Sequence, residues 1–317
     1  MAKRVFMFPG QGSQYVGMGK EFYEKYETAK KVFDMASEIT GLDVPALCFE
    51  ENDKINITEY TQVCMLTVEA AIFAVLKEKG IEYDLTAGLS LGEYGALIAS
   101  GAMTMEEAFK VVRKRGIYMQ NAVPKGGGMS AIIGLDAASI EEICAEVQAA
   151  GCQAEFDSAL PYVVSVANYN NPKQTVITGR KDAVTIAADK CMEKGALKAV
   201  ALNVSGPFHS DLLKGAGEQL KEALDEVSIN EIKVPYIANV NAAYVKNSDE
   251  VKDLLIKQVS SSVRWTQTME LMIADGIDEF VEIGPGRTLT GFIKKMDRSL
   301  KTVNIDTLED FEKYIEQ

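Results

Sequence analysis

A serine hydroxyl is a poor nucleophile at neutral pH unless a nearby base takes its proton. The informative residues are therefore serines on strained turns and the bases that could reach them. The stretch AGLSLGEYGA, residues 87–96, brackets Ser90 between Gly88 and Gly92 with the G-x-S-x-G spacing of a nucleophile elbow. In such a turn the glycines let neighbouring segments pack closely and the hydroxyl is pushed outward. The helix that follows directs free N–H groups at the same point, which favours developing negative charge. Taken alone, the pattern is equally consistent with a tight strand-to-helix turn without chemistry. The chain has a single histidine, His209, in VSGPFHSDLL just before a predicted helix. Any histidine base must be this one, 119 residues from Ser90 along the chain.

Two more stretches could complete such a site. PGQGSQ, residues 9–14, follows the first predicted strand and is neither G-x-G-x-x-G nor a Walker A pattern. Its backbone could supply an oxyanion-hole N–H beside that of Leu91, the residue after the serine. In VVRKRGIYMQNAVP, Arg113, Lys114 and Arg115 lie on a helix beyond the elbow. Most such clusters are solvated faces. Arg115, followed by Gly116 and largely apolar residues, is also consistent with an arginine turned toward an interior site.

Composition excludes other classes. The 317 residues are 47% hydrophobic and 25% charged, as in ordinary folded proteins. One histidine and five scattered cysteines (Cys48, Cys64, Cys144, Cys152, Cys191) offer no metal-ligand cluster, so no zinc or iron site is expected. The odd count without CxxC points to buried thiols in a reducing cytoplasm. A net charge of −13 argues against a nucleic-acid partner. No apolar run approaches the roughly 18 residues of a membrane span, and MAKRVFMFPGQG reads as a first strand rather than a leader.

The elements that must position these residues alternate. VFMF and YDLTAGL read as strands ending in the two turns just named, and residues 17–40 and 58–79 have helical periodicity. Thr104 caps a helix reaching about Asn121. VPKGGG is the clearest break. Beyond it lie MSAIIGL (strand), 139–149 (helix), YVVSVAN and QTVITG (strands), 181–194 (helix) and LKAVAL (strand). This β-α-β-β-α-β order matches a ferredoxin-like unit inserted into a larger α/β domain. Helices near 210–227, 249–259 and 265–275, the strand EFVEIG, the turn GPGR and a helix over 287–297 complete it.

PGQGSQ, SLGEY, RGIYMQNAVPKGGGMSAIIG, VANYNNPKQTVITG, GPFH, QVSSSVRW and EIGPGRTLTGFIKK together resemble the malonyl-CoA:acyl-carrier-protein transacylase family, in order and spacing, from Val5 to about Lys295. The resemblance implies an α/β-hydrolase-like core over 1–125 and 200–317, with a ferredoxin-like subdomain inserted over 126–199. It implies that Ser90 is acylated and His209 is its base, oriented by the backbone carbonyl of Gln258. Arg115 would pair with the malonyl carboxylate, and the N–H groups of Gln11 and Leu91 would form the oxyanion hole. Met119 and Asn168 would lie near the pocket, and Phe208, beside the base, would exclude branched malonates. The implied reaction moves malonyl from malonyl-CoA to the phosphopantetheine thiol of acyl carrier protein, for fatty-acid synthesis, without a cofactor. A cytoplasmic monomer is expected. Because carrier proteins are acidic and so is this chain, docking calls for a local basic patch, and FIKKMDRSLK offers Lys294 and Lys295, with Arg298 and Lys301 beyond. The departure from the family is Leu89, where histidine is usual. Adjacent residues at a strand end point to opposite faces, so Leu89 is expected to turn away from the cleft and pack under the elbow. The alternatives are an acyltransferase of a polyketide assembly line, a serine esterase or thioesterase, and a non-catalytic carrier-protein-binding module.

Overall fold

The computed structural model describes residues 3–151 and 160–316. Among them ten strands run in chain order: β1 (Arg4–Phe8), β2 (Leu85–Gly88), β3 (Gly127–Ile133), β4 (Val164–Asn171), β5 (Gln174–Arg180), β6 (Lys198–Ala201), β7 (Tyr236–Ala238), β8 (Ala243–Tyr244), β9 (Glu279–Ile283) and β10 (Lys301–Ile305). They form a mixed α/β structure with two sheets. The larger has the order β10-β9-β1-β2-β7-β8, parallel except for β8. The central strand β1 reads as an unbroken apolar run because both of its faces are buried: Phe6 and Phe8 on one side, Val5 and Met7 on the other. Its carboxyl end and that of β2 lie side by side, Phe8 opposite Gly88, so the PGQGSQ loop and the Ser90 turn leave the sheet together.

The smaller sheet is antiparallel with the order β4-β5-β3-β6. It packs its own helices Ala137–Ala150 and Lys181–Glu193 on one face through Ile132, Val164, Val166 and Ile177. The other face gives Met129, Ala131 and Val176 to the main core. Pairing of Ser130 with Ala201 carries this sheet two residues past position 199. Tyr169 N–H to Val263 O (2.9 Å) and Val263 N–H to Ala167 O (2.8 Å) stitch β4 to the segment that follows helix Val251–Gln258.

Helix Met105–Ala122 begins at Thr104 with a full capping box to Glu107, as its sequence predicts. Helix Thr58–Glu78 corrects one expectation. By length and composition it could cross a membrane, yet 83% of its apolar window is buried inside the protein, where it packs against helices Met105–Ala122 and Glu27–Thr40. Its threonines hide that character from a search for unbroken apolar runs. Cys48, Cys64, Cys144 and Cys191 are buried free thiols, as expected; Cys152 lies outside the described residues.

Candidate active site

The Ser90 turn joins β2 to helix Gly92–Ser100. Ser90 has φ 54°, in the left-handed region, which costs a non-glycine residue ~1–3 kcal/mol unless its surroundings hold it there. Both flanking glycines are required by close approach. A Cβ on Gly88 would come within 1.9 Å of Gly92 O, and one on Gly92 within 2.0 Å of Phe8 O. Asn239, just past β7, clamps the turn: its Oδ1 accepts the Ser90 N–H at 2.6 Å and its Nδ2 donates to Gly88 O at 2.6 Å.

His209 enters from the loop before helix Lys214–Asp225, with φ 59°. Its Nε2 lies 2.8 Å from Ser90 Oγ. Its Nδ1 lies 2.9 Å from Gln258 O and 3.1 Å from Ser261 O, both acceptors, so Nδ1 carries the proton and Nε2 is free to accept one. Burial, and after it the Arg115 cation, pushes His209 down to about 4. The imidazole is therefore neutral at physiological pH, the state a base requires.

Arg115 is 1% exposed, midway along helix Met105–Ala122. Its Nη1 donates to Gln62 Oε1 (2.8 Å), and its Nη2 to Gln258 Oε1 (2.9 Å) and Ser90 Oγ (3.2 Å). The guanidinium lies over the Tyr94 ring at 5.5 Å. Burial lowers it from its ordinary value, but arginine ionises so far above neutrality that the charge stays. Gln258 Nε2 continues the network to Ser90 O (2.9 Å) and Glu93 Oε2 (2.7 Å). Burial raises Glu93 to about 7, against the lowering effect of its hydrogen bonds from Gln258 and Asn239 and of Arg115.

These groups floor a cleft of about 540 Å³ whose other wall is the smaller sheet. Gln11, Leu91, Met119, Asn168 and Phe208 all line it, whereas Gln258 lies behind the floor. Among the described residues, the backbone N–H groups of Gln11 and Leu91 have no acceptor. No group of three or more His, Cys, Asp or Glu among the described residues could hold a metal ion.

Two expectations need correction. Leu89 does not pack away from the cleft. It is half-buried, lines the cleft beside Phe292, and rests on the core cluster containing Leu289 and Ile293. The tight turn breaks the strand's alternation before Ser90, so the opposite-face rule no longer applies. Lys294 is not a free surface cation. Its ammonium donates to Arg298 O (3.2 Å) and Leu300 O (2.5 Å), satisfying carbonyls just past the end of its own helix, Thr288–Met296. Lys295 is exposed, and Lys301 pairs with Glu279. Residues that sequence reasoning missed are Asn239, Glu93, Gln62 and Ser261. Glu93 stood in the quoted SLGEY motif and Ser261 in QVSSSVRW; nothing local marked Asn239 or Gln62.

The acyl transferase domain family matches residues 5–309, nearly the whole chain. The chain belongs to this family. It is 43% identical over 314 residues to the malonyl CoA-acyl carrier protein transacylase of Bacillus subtilis, covering 98% of this chain and 96% of the relative. It is 37% identical over 312 residues to that of Staphylococcus aureus, covering 98% and 97%. Among solved structures, the malonyl CoA-acyl carrier protein transacylase of Clostridium perfringens superposes with a TM-score of 0.92 at 39% identity, covering 99% of this chain and 96% of that one. The malonyl-transacylase solved in complex with its type II PKS acyl-carrier protein superposes at 0.93 with 35% identity, covering 99% of each chain. As an acyltransferase, the protein needs a place for an acyl group, and the cleft holds both a serine hydroxyl next to a histidine and a buried cation.

Proposed function

We propose that the protein transfers the malonyl group of malonyl-CoA to the phosphopantetheine thiol of acyl carrier protein, supplying fatty-acid synthesis, through a malonyl ester on Ser90. The observation that carries this reading is the hydrogen-bonded line from Gln258 O through His209 and Ser90 to Arg115 on the floor of one cleft. His209 Nε2 takes the hydroxyl proton as Ser90 Oγ attacks the thioester carbon. The oxyanion is received by the N–H groups of Gln11 and Leu91, the C–S bond breaks, and the proton passes to the departing coenzyme A sulfur. The carrier thiol then attacks the serine ester, gives its proton to His209, and Ser90 recovers it. This ping-pong exchange trades one thioester for another, so it calls for no metal or redox cofactor. Arg115 meets the malonyl carboxylate with a charged planar fork. Phe208 and Met119 narrow the cleft around the acyl group, with Asn168 beside them.

The names of the relatives support this reading, and the type II PKS neighbour supports a polyketide carrier as the alternative recipient. A serine esterase fits less well, because two carbonyls rather than an acid orient His209. We read the larger sheet and its helices as an α/β-hydrolase-like core over 1–125 and 200–317, with 126–199 as a ferredoxin-like insert; the strand orders support this. The carrier protein would dock on a rim that includes Lys295. We take the enzyme to be a cytoplasmic monomer, to be checked by sedimentation velocity and cell fractionation. The direct test is intact-mass spectrometry after incubation with malonyl-CoA. Wild type should gain one malonyl group and Ser90→Ala none; a labelled Ser90→Ala would remove Ser90 from the reaction.

A further inference from the structure

Glu93 is fully buried in the first turn of helix Gly92–Ser100, and it sits one side chain away from Arg115. Arg115 Nη2 donates to Gln258 Oε1, and Gln258 Nε2 donates to Glu93 Oε2, so a single amide lies between cation and carboxyl. Glu93 Oε2 also accepts the Asn239 N–H at 3.1 Å, while Oε1 has no partner. A buried carboxylate with one bare oxygen is poorly stable as an anion, so its charge leans on Arg115, the one cation acting on it among the described residues. Among the described residues, the other titratable groups around it are all shifted toward their neutral forms. Tyr94, on its own helix, and Tyr236, on β7, are both pushed above the ordinary tyrosine range. Glu69, packed against Gly95 from helix Thr58–Glu78, is pushed well above the ordinary carboxylate range by complete burial and, after it, by Glu282.

We propose that Glu93 couples carboxylate selection to proton uptake: when a malonyl carboxylate pairs with Arg115, Glu93 takes a proton from solvent. This rests on the reading of Arg115 as the malonyl-binding residue. The substrate carboxylate neutralises the charge that kept Glu93 ionised, and the relay then holds one anion in place of two. An acyl group without a carboxylate leaves Arg115 and Glu93 as they were. The preference for malonyl over acetyl therefore declines as pH rises through the range where free Glu93 ionises, because binding must then bring a proton with it.

The experiment measures kcat/KM for acylation by malonyl-CoA and by acetyl-CoA from about pH 6 to pH 9. Their ratio cancels the titration of His209, which serves both substrates. In wild type the ratio should fall by about five- to tenfold above neutrality, toward the linkage limit of about tenfold per pH unit. In Glu93→Gln it should stay level within about twofold. That variant keeps the network, since its amide oxygen can accept from Gln258 and Asn239 while its NH₂ takes the place of the unpartnered Oε1. Equal slopes in the two proteins overturn the proposal. Independently of folding in that variant, binding of malonyl-CoA to Ser90→Ala near neutral pH, followed with a pH indicator, should take up about half a proton or more beyond the acetyl-CoA control; no excess uptake overturns it. Arg115→Ala separates the two ideas. If it keeps the wild-type malonyl preference, the reading of Arg115 fails and this inference with it. If it loses that preference while Glu93→Gln keeps the wild-type slope, only the role of Glu93 falls.

Discussion

The floor of the cleft and its rim both carry cations, and they are held in opposite ways. On the floor, Arg115 is fixed by Gln62 and Gln258 from two distant segments, and it is almost wholly buried. On the rim, Lys294 is used up by carbonyls a few residues away, and Lys295 extends into solvent. A charge buried against amides retains more of its attraction for an incoming anion than an exposed one, which is weakened by water and salt. The floor can therefore select a substrate, and the rim can only steer a partner.

The sharpest way to break this contrast is at the base. His209→Ala should lower the acylation rate by ~10²–10⁴, since no second histidine can substitute; a variant within about threefold of wild type in single-turnover acylation would end the serine–histidine reading. Next comes Arg115→Ala, which should reduce the malonyl-over-acetyl preference by about 10–150-fold, the worth of a charge-assisted pair of roughly 1.5–3 kcal/mol. The same variant should move the acid limb of the pH profile. His209 is held at about 4 first by burial and then by Arg115, so the neutral base is lost only well below its usual range. Without the cation its pKa rises, and activity should fail at a higher pH; an unmoved limb in kcat/KM would show that Arg115 does not act on the base. The smallest effect belongs to the rim. At low salt, Lys295→Glu should raise the KM for carrier protein a few-fold with kcat unchanged, and the effect should fade in salt. If Lys294→Glu changes that KM as much as Lys295→Glu does, the distinction drawn between the two lysines is wrong.

In sequence, Lys294 and Lys295 look alike, because nothing local says which side chain will fold back on its own helix end. That Ser90 and His209 belong together was legible for the contrary reason: the chemistry proposed for them depends on residue type and turn spacing, both visible in a short window. Asn239 was not, since a lone asparagine in IANVNAA signals a turn, and its clamp on Gly88 and Ser90 spans about 150 residues of chain. For Gln258 the carbonyl was anticipated from the resemblance, but its side chain, which joins Arg115 to Glu93, was not. The long elements and the chain order of the strands and helices of the smaller sheet followed from periodicity and glycine breaks. Strands β7 and β8 escaped because three residues and two residues leave no period to read, and helix Val44–Phe49 is similarly short. Strand β10 was hidden by its polar sequence, KTVNI, on the edge of the sheet.

Both members of the proposed reacting pair, Ser90 and His209, occupy backbone conformations that glycine adopts freely and other residues resist. Selection for folding alone would favour glycine at position 90, where the side chain is small and little packing would be lost. On this reading Ser90→Gly should raise the melting temperature by a few degrees, checked by calorimetry. Gains in thermal tolerance must then come from parts of the chain remote from the cleft, such as the outer faces of the helices and the loops at the opposite ends of the strands, because at the elbow durability and turnover are set against each other by the same two dihedral angles.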